Sequence, residues 1–352
     1  MTRLSDYTRL MQALTRQGEP DYVPLVELGI SAAIKEKLLN RKCLALHDEI
    51  EFAEMAGYDY IKLQPIIDMN PAKIPSQSGH YETQLVEFEG TRKWANQYQN
   101  MITSVADFEH YRFPTLESID YSRFELVKSI LPDHLMVIGQ YGDIFTMVWE
   151  MMGFENFSIA LFENPDLVAE LFDTIGRLVY SMFHTMVQMD MVRAIWYSDD
   201  IAYAGGLMVG PDVLRTYFFP WLKKIGDLAR DYQKPFLYHS DGKLWMVMED
   251  IIQAGVTALH PIEPKAMDIV EIKNQFGHSL CIIGNIDLAY TLTRGTPQEV
   301  EREVRQRIET LAPGGGYCLG SANSIPEYVP YPNYLAMIQA TRQFGRYPIA
   351  NS

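Results

Sequence analysis

The sequence predicts an α/β protein: a single (β/α)8 barrel of the TIM type, one domain over residues 1–352, with an N-terminal helix and an excursion between strands 2 and 3. Three observations predict it. Eight short β-rich runs alternate with helical patterns. No Gly-rich phosphate turn follows an early strand, as a doubly wound open sheet would require. The 352 residues, 47% hydrophobic and 12% aromatic, carry apolar side chains for one large core and show no linker, low-complexity tract or repeat beyond the strand–helix period.

The elements follow in order. Tyr7, Leu10, Met11 and Leu14 recur at helical spacing within Ser5–Arg16, and Gly18 and Pro20 end that helix. Strands are predicted at Val23–Glu27, Tyr60–Gln64, Leu135–Gln140 and Arg193–Asp199, then at Pro235–His239, Thr257–His260, Leu280–Asn285 and Gly316–Gly320. Helices lie between them: HDEIEFAEMAG after the first strand, Pro165–Met189, Leu244–Ala254, Ala266–Gln275 and Pro297–Leu311, the last with proline at its start. Roughly 70 residues separate the second and third strands, too many for one loop and helix. Gln84–Glu89 alternates like a strand before Gly90, which suggests a hairpin over the barrel mouth. The glycines of Gly314–Tyr317 read as a helix cap and turn that needs positive φ.

Composition excludes several classes. The formal net charge of −15 disfavours nucleic acid and anionic membranes in the absence of a basic patch. No apolar run approaches a membrane span and the N-terminus lacks a signal-peptide pattern. Cys43, Cys281 and Cys318 form no CxxC pair, so disulfides are not expected and the compartment reads as the reducing cytoplasm.

Reactive groups in such barrels sit at the C-terminal ends of the strands. Those ends carry Glu27, Gln64, Gln140 with Asp143, Asp199 with Asp200, His239 with Asp241, His260 with Glu263, Asn285 with Asp287, and Asn323 just beyond. Asp200 and Asp287 also fit as turn or helix caps. Carboxylates gathered on one small area repel unless they serve a metal, a proton or a cationic substrate. His239 and Asp241 are two apart, so an extended chain puts them on one face, able to hold a metal or a proton together. The plainer alternative is a hydrogen-bonded interior histidine and an aspartate shaping the turn at Gly242. His47, His80, His110, His134, His184 and His278 receive no role, and the Met-rich stretches Met147–Met152 and Met182–Met191 read as core packing.

Along most of its length the chain resembles the uroporphyrinogen decarboxylase superfamily. The resemblance rests on GEPDYVPL, AGYDYIKLQ, SDDIAYAGGLMVGPDVLRTYFFPWLKKI, YHSDGKLWMVMEDIIQAGVTALHPIEP, IGNIDLAYTLTRGTPQEVEREVRQRIETLAPGGGY and IPEYVPYPNYLAMI. Two departures steer it towards the corrinoid-linked methyltransferase branch. The RQAGRY-type motif of true decarboxylases is replaced by MQALTRQGEPDYVPLVELG. The zinc-binding His-x-Cys pair and later cysteine of the thiol-activating branch become His239-x-Asp241 and Asn323. With the thiolates missing, no metal ligand set is assigned; zinc on His239, Glu263 and other carboxylates is the oxygen-rich variant left open.

The resemblance thus implies methyl transfer between a small methylated substrate and a corrinoid on a partner protein, in an enzyme that is a homodimer. His239, Asp241, Asp199 and Glu263 are the expected catalytic residues. Glu27, Gln64, Gln140, Asp143, Asp200, Asp287 and Asn323 are expected to contact substrate. The alternatives are decarboxylation of a tetrapyrrole or other polycarboxylate, with Arg193 and Arg215 as the nearby cations, and a non-catalytic tetrapyrrole-binding barrel.

Overall fold

The computed structural model describes residues 5–69 and 101–349. Its strands are β1 (Tyr60–Leu63), β2 (Met136–Gly142), β3 (Val192–Ser198), β4 (Ala202–Tyr203), β5 (Gly206–Leu207), β6 (Phe236–His239), β7 (Ala258–His260), β8 (Cys281–Ile283) and β9 (Tyr317–Cys318). Seven of them pair in parallel in the order β1-β2-β3-β6-β7-β8-β9, a curled sheet, while β4 and β5 form a separate antiparallel hairpin. Helices follow most strands, as a parallel sheet requires. The α/β class and the parallel sheet match the sequence reading; the eighth strand differs.

The predicted first strand, Val23–Glu27, makes one parallel bridge, Leu25 to Leu319, in place of a ladder. Val26 N donates to Leu319 O and Leu319 N to Pro24 O. Backbone N–H groups at i and i+2 point to the same side of a strand, and proline has none. Pro24 therefore withholds the next bond of that ladder. Towards β1 the seam is closed by a side chain: the Tyr60 hydroxyl accepts from Glu27 N at 2.9 Å and donates to Glu27 O at 3.0 Å.

Several helices are capped by side chains at their N-termini. Asp6 caps Tyr7–Leu14, Asn164 caps Pro165–Val187, and Thr296 with Glu299 forms a capping box on Pro297–Leu311. After that last helix Gly314, Gly315 and Gly316 have φ of 83°, 78° and 62°, the positive angles expected of the cap. The predicted Leu244–Ala254 helix is shorter, a 3-10 turn at Trp245–Val247 leading into Met248–Gln253. Between β1 and β2 the described part of the excursion holds Val105–His110, Leu116–Ser118 and Ser122–Lys128. Gln84–Glu89 and His80 lie outside the described residues. Met151, Met152, Met182 and Met186 are buried in the core, in line with the packing reading.

Strand alternation sorts the side chains that matter below. In β3, Tyr197 packs outward against Phe183 and Phe218, whereas Trp196 faces inward towards His260. In β6, Tyr238 joins the outer aromatic layer with Phe218 and Tyr197, and His239 faces inward. Ser198, His239 and His260 align in register across β3, β6 and β7, placing the last inward positions of three strands side by side.

Candidate functional site

At this rim Asp200, His239 and Asp241 each offer a ligand atom, and those atoms lie within 4.8 Å of one another. Their placement follows from the backbone. His239 ends β6 facing inward, and Asp241, two residues on, keeps that face. Gly242 turns the chain with φ 88°; a Cβ there would stand 2.5 Å from the Ala202 carbonyl carbon, so the turn accepts only glycine beneath the β4–β5 hairpin. Lys243 N donates to Tyr203 O and fixes hairpin to turn.

The remaining groups hold this turn. Glu263 Oε2 accepts from Gly242 N at 2.9 Å, Asp200 Oδ1 accepts from Asp241 N at 2.8 Å, and Asn323 Nδ2 donates to Asp241 Oδ2 at 2.5 Å. Asp241 Oδ1 is buried with no hydrogen-bond partner among the described residues. Burial, with Asp200 and Glu263 adding like charge, pushes the Asp241 carboxyl up to about 8. His239 Nε2 faces Asp200 Oδ1 at 3.7 Å, and its Nδ1 lies 2.8 Å from His260 Nδ1. One ring of that pair donates and the other accepts; with His239 as donor, its Nε2 lone pair is left towards the carboxylates. Burial lowers the proton affinity of both imidazoles, and His260 is lowered further by His239 and Lys62.

One nitrogen and two carboxylates, with an orphaned buried oxygen and a histidine oriented by a second ring, suit a divalent cation of the harder kind. They do not suit thiolate zinc. Cys281 and Cys318 are buried on β8 and β9, and half-buried Cys43 hydrogen-bonds Glu49.

Other expected residues are placed differently. Asp199 points outward, as alternation demands: Oδ2 accepts from Phe145 N and Tyr197 Oη, both at 2.7 Å, and Oδ1 from Thr146 N at 3.0 Å and Thr146 Oγ1 at 2.7 Å. It thus tethers the N-terminus of helix Ile144–Met152. Asp287 caps its own turn, accepting from Ala289 N and Tyr290 N. Asp200 joins the cluster. Gln140 donates to Ser198 Oγ at 3.0 Å near the cluster, and Gln64 is exposed past the end of β1. Asp143, in the left-handed region at φ 65°, stays accessible at the mouth although protein crowds it; burial, then Asp199, Glu150 and Asp200, holds its carboxyl well above the usual range.

Glu27 is buried against Ser321, whose N–H and hydroxyl contact Oε1 at 2.8 Å and Oε2 at 2.6 Å. Ser321 Oγ also lies 2.8 Å from Asn323 O. One hydroxyl proton serves one of those acceptors, so both contacts are satisfied when Glu27 carries a proton and donates to Ser321 Oγ. Burial pushes Glu27 up to about 8. A carboxyl raised in the fold stabilises fully below its unfolded value of 4.5, and that contribution fades as pH rises to about 8, at ~1.4 kcal/mol per unit. Glu27→Gln reproduces the protonated pattern. The variant is expected to match the parent's melting temperature near pH 5 and exceed it near pH 9; equal slopes would refute the assignment.

Four residues acquire importance that the sequence reading did not give them: Lys62, Glu150, His260 and Trp196. Burial and nearby Asp199 push Glu150 up to about 7. His260 stood among the strand ends without a role. Lys62 is a charge in the middle of an otherwise apolar strand, a legible signal that went unused.

The URO-D model, uroporphyrinogen decarboxylase, matches residues 86–344. A uroporphyrinogen decarboxylase of Nitrosospira multiformis is 20% identical over 231 residues, covering 62% of this chain and 60% of that protein. The methylcobamide:CoM methyltransferase MtaA of Methanosarcina barkeri is 23% identical over 217 residues, covering 60% and 59%. The chain thus matches about three-fifths of the length of these relatives. A methyltransferase from Methanosarcina mazei shares the fold at TM-score 0.69 and 17% identity, over 97% of this chain and 99% of that one. On the match over residues 86–344, the chain belongs to the uroporphyrinogen decarboxylase family.

Proposed function

We propose that this protein is a methyltransferase that moves a methyl group between a small methylated substrate and a corrinoid carried by a partner protein. The observation that carries the reading is the Asp200, His239 and Asp241 cluster with its orphaned Asp241 oxygen. The likeness to MtaA supports the reaction class. In this reading segment 23–27 completes a (β/α)8 barrel, residues 1–352 form one domain, and the three free thiols suit the cytoplasm. Among the described residues no helix is long and apolar enough to cross a membrane.

Asp200, His239 and Asp241 would hold a divalent cation. Such an ion would supply Lewis acidity to the heteroatom that bears the methyl group. His260 Nδ1 accepts from His239 Nδ1–H, which leaves the lone pair of His239 on its Nε2. Glu263 and Asn323 fix the turn that carries Asp241. Asp143, accessible and protonated well above the usual carboxylate range, donates the proton that the departing heteroatom takes up. Ile66, Tyr203, Met246 and Tyr290 stand exposed on segments beyond the strand ends, the end at which a corrinoid-bearing partner would dock.

Decarboxylation of a polycarboxylate calls for several cations at the mouth. Arg193 packs over Tyr7 at the start of β3, and Arg215 is bonded to Asp250 and Asp212 on an outer helix. The test is incubation with cob(I)alamin and a panel of methylated donors. A donor-dependent conversion of the corrinoid spectrum is expected. No change for any donor, with carbon dioxide released from a porphyrinogen, overturns the reading; tight corrinoid binding without turnover replaces it with a binding barrel.

A further inference from the structure

Lys62 stands in the middle of β1 on the same face as Tyr60, whose hydroxyl bonds the Glu27 backbone inside the sheet. Among the described residues its ammonium has one neighbour of the right character, the face of Trp196, with Nζ 5.4 Å from the ring centroid. Among the described residues no acceptor lies within hydrogen-bond distance of it. The nearby carboxyl, Glu27, is engaged by Ser321, and Lys35, which lines the same cavity, is paired with Glu49 at 2.5 Å. Among the described residues Lys62 is thus an enclosed amine that no carboxylate hydrogen-bonds, since Glu27 and Glu49 are engaged elsewhere, an arrangement that costs stability unless an anion arrives.

Space for one exists. A cavity of about 190 Å³ is lined by Lys62, Glu27, Tyr60, Lys35, Glu49 and Phe52 among others. That is below the ~300 Å³ at which drug-sized sites begin, so it fits one end of a small molecule. Trp196 links the amine to the cluster: the ring beneath Lys62 meets His260 edge-on with centroids 5.3 Å apart, and His260 Nδ1 lies 2.8 Å from His239 Nδ1. A positive seat therefore adjoins an acidic one.

We propose that Lys62 is an anion seat that receives the carboxylate of the methyl donor, which makes that donor a small carboxylate-bearing molecule. The word donor rests on the methyl-transfer reading; the anion seat does not. The carboxylate sits against Lys62 and Trp196, and the methyl-bearing end extends towards Asp200, His239 and Asp241. Burial holds Lys62 near the midpoint of its titration, at about 7, so an arriving carboxylate draws it to the charged form.

The first arm of the test needs neither corrinoid nor donor. Acetylation of each lysine by acetic anhydride is followed by peptide mass spectrometry, with propionate or the neutral isostere propionamide at ~20 mM, a range suited to a weak single-anion site. Propionate is expected to slow modification of Lys62 about fivefold, as four-fifths occupancy requires, and to leave the exposed Lys128 unchanged. Propionamide is expected to do nothing. Equal protection by both, or by neither, overturns the seat.

The second arm measures propionate binding by calorimetry, with the fold of each variant checked by its melting curve. Lys62→Met, which keeps the chain's bulk without its charge, is expected to lose about tenfold in affinity, and Lys62→Arg to retain most of it. A Lys62→Met variant that binds propionate like the parent overturns the proposal. Where methyl transfer is observed, Lys62→Met is expected to raise KM about tenfold for a carboxylate donor and leave a neutral donor unchanged. An equal loss for both overturns the assignment to the donor; absent turnover with intact propionate protection fails the methyl-transfer reading alone.

Discussion

His239→Ala is expected to lower kcat/KM for methyl transfer by about three orders of magnitude, ~4 kcal/mol of transition-state stabilisation, while the protein stays folded. The side chain supplies the cluster's only nitrogen, and no neighbouring group replaces a lone pair held by His260. The structural cost is separate: His260 Nδ1 loses its buried partner and a void opens at a buried position, together ~2–4 kcal/mol and roughly 4–8 °C of melting temperature. Asp241→Asn separates charge from shape, since the amide oxygen still accepts from Asn323 and the amide nitrogen fills the orphaned position. It is expected to abolish cation uptake, read as metal content after dialysis. Because burial raises the Asp241 carboxyl to about 8, the chelator-treated parent loses stability as pH climbs from the ordinary carboxylate range to that value. The Asn variant lacks that loss and melts higher near pH 9. Full activity in His239→Ala would remove the cluster from the chemistry.

How far the sequence carried this site depends on which physical signal was used. Inward positions two apart were legible, and His239 and Asp241 do share a face with Asp200. Position at a strand end was a weaker guide, because the end of a strand has two faces. Asp199 and Asp200 follow Tyr197 and Ser198, and alternation alone sends the first outward with the tyrosine and the second inward with the serine. Asp287 had the Asx-turn spacing of a cap and acts as one. Lys62 carried the converse signal, since a strand interior rarely tolerates a charge without a purpose. The fold was legible as an alternation of strands and helices, whereas at Val23–Glu27 the missing ladder bond comes from Pro24 and the contact to β1 from the Tyr60 hydroxyl, a long-range contact that periodicity does not encode. His260 was legible only as a strand end; its value comes from a register that sets β6 beside β7.

The adjacent aspartates give the sharpest separation of structure from chemistry. Asp199→Asn is expected to destabilise the protein by ~3 kcal/mol, lowering the melting temperature by about 6 °C or more. The reason is geometric. Four donors converge on its two oxygens, and an amide offers one oxygen and a nitrogen that donates in turn. The Tyr197 hydroxyl can rotate to accept, but Phe145 N–H then faces an N–H, a buried unsatisfied donor worth ~1–3 kcal/mol. Loss of the negative charge at the N-terminus of helix Ile144–Met152 adds up to ~2 kcal/mol. Turnover of the remaining folded protein should change little. Asp200→Asn should do the reverse: its side chain is 48% exposed, so stability moves by less than ~1 kcal/mol, while cation affinity and turnover fall together. Melting curves and metal content of the two variants decide the matter. If Asp199→Asn lost the metal at an unchanged melting temperature and Asp200→Asn unfolded early, the inward and outward faces of β3 would have to be exchanged, and the cluster with them.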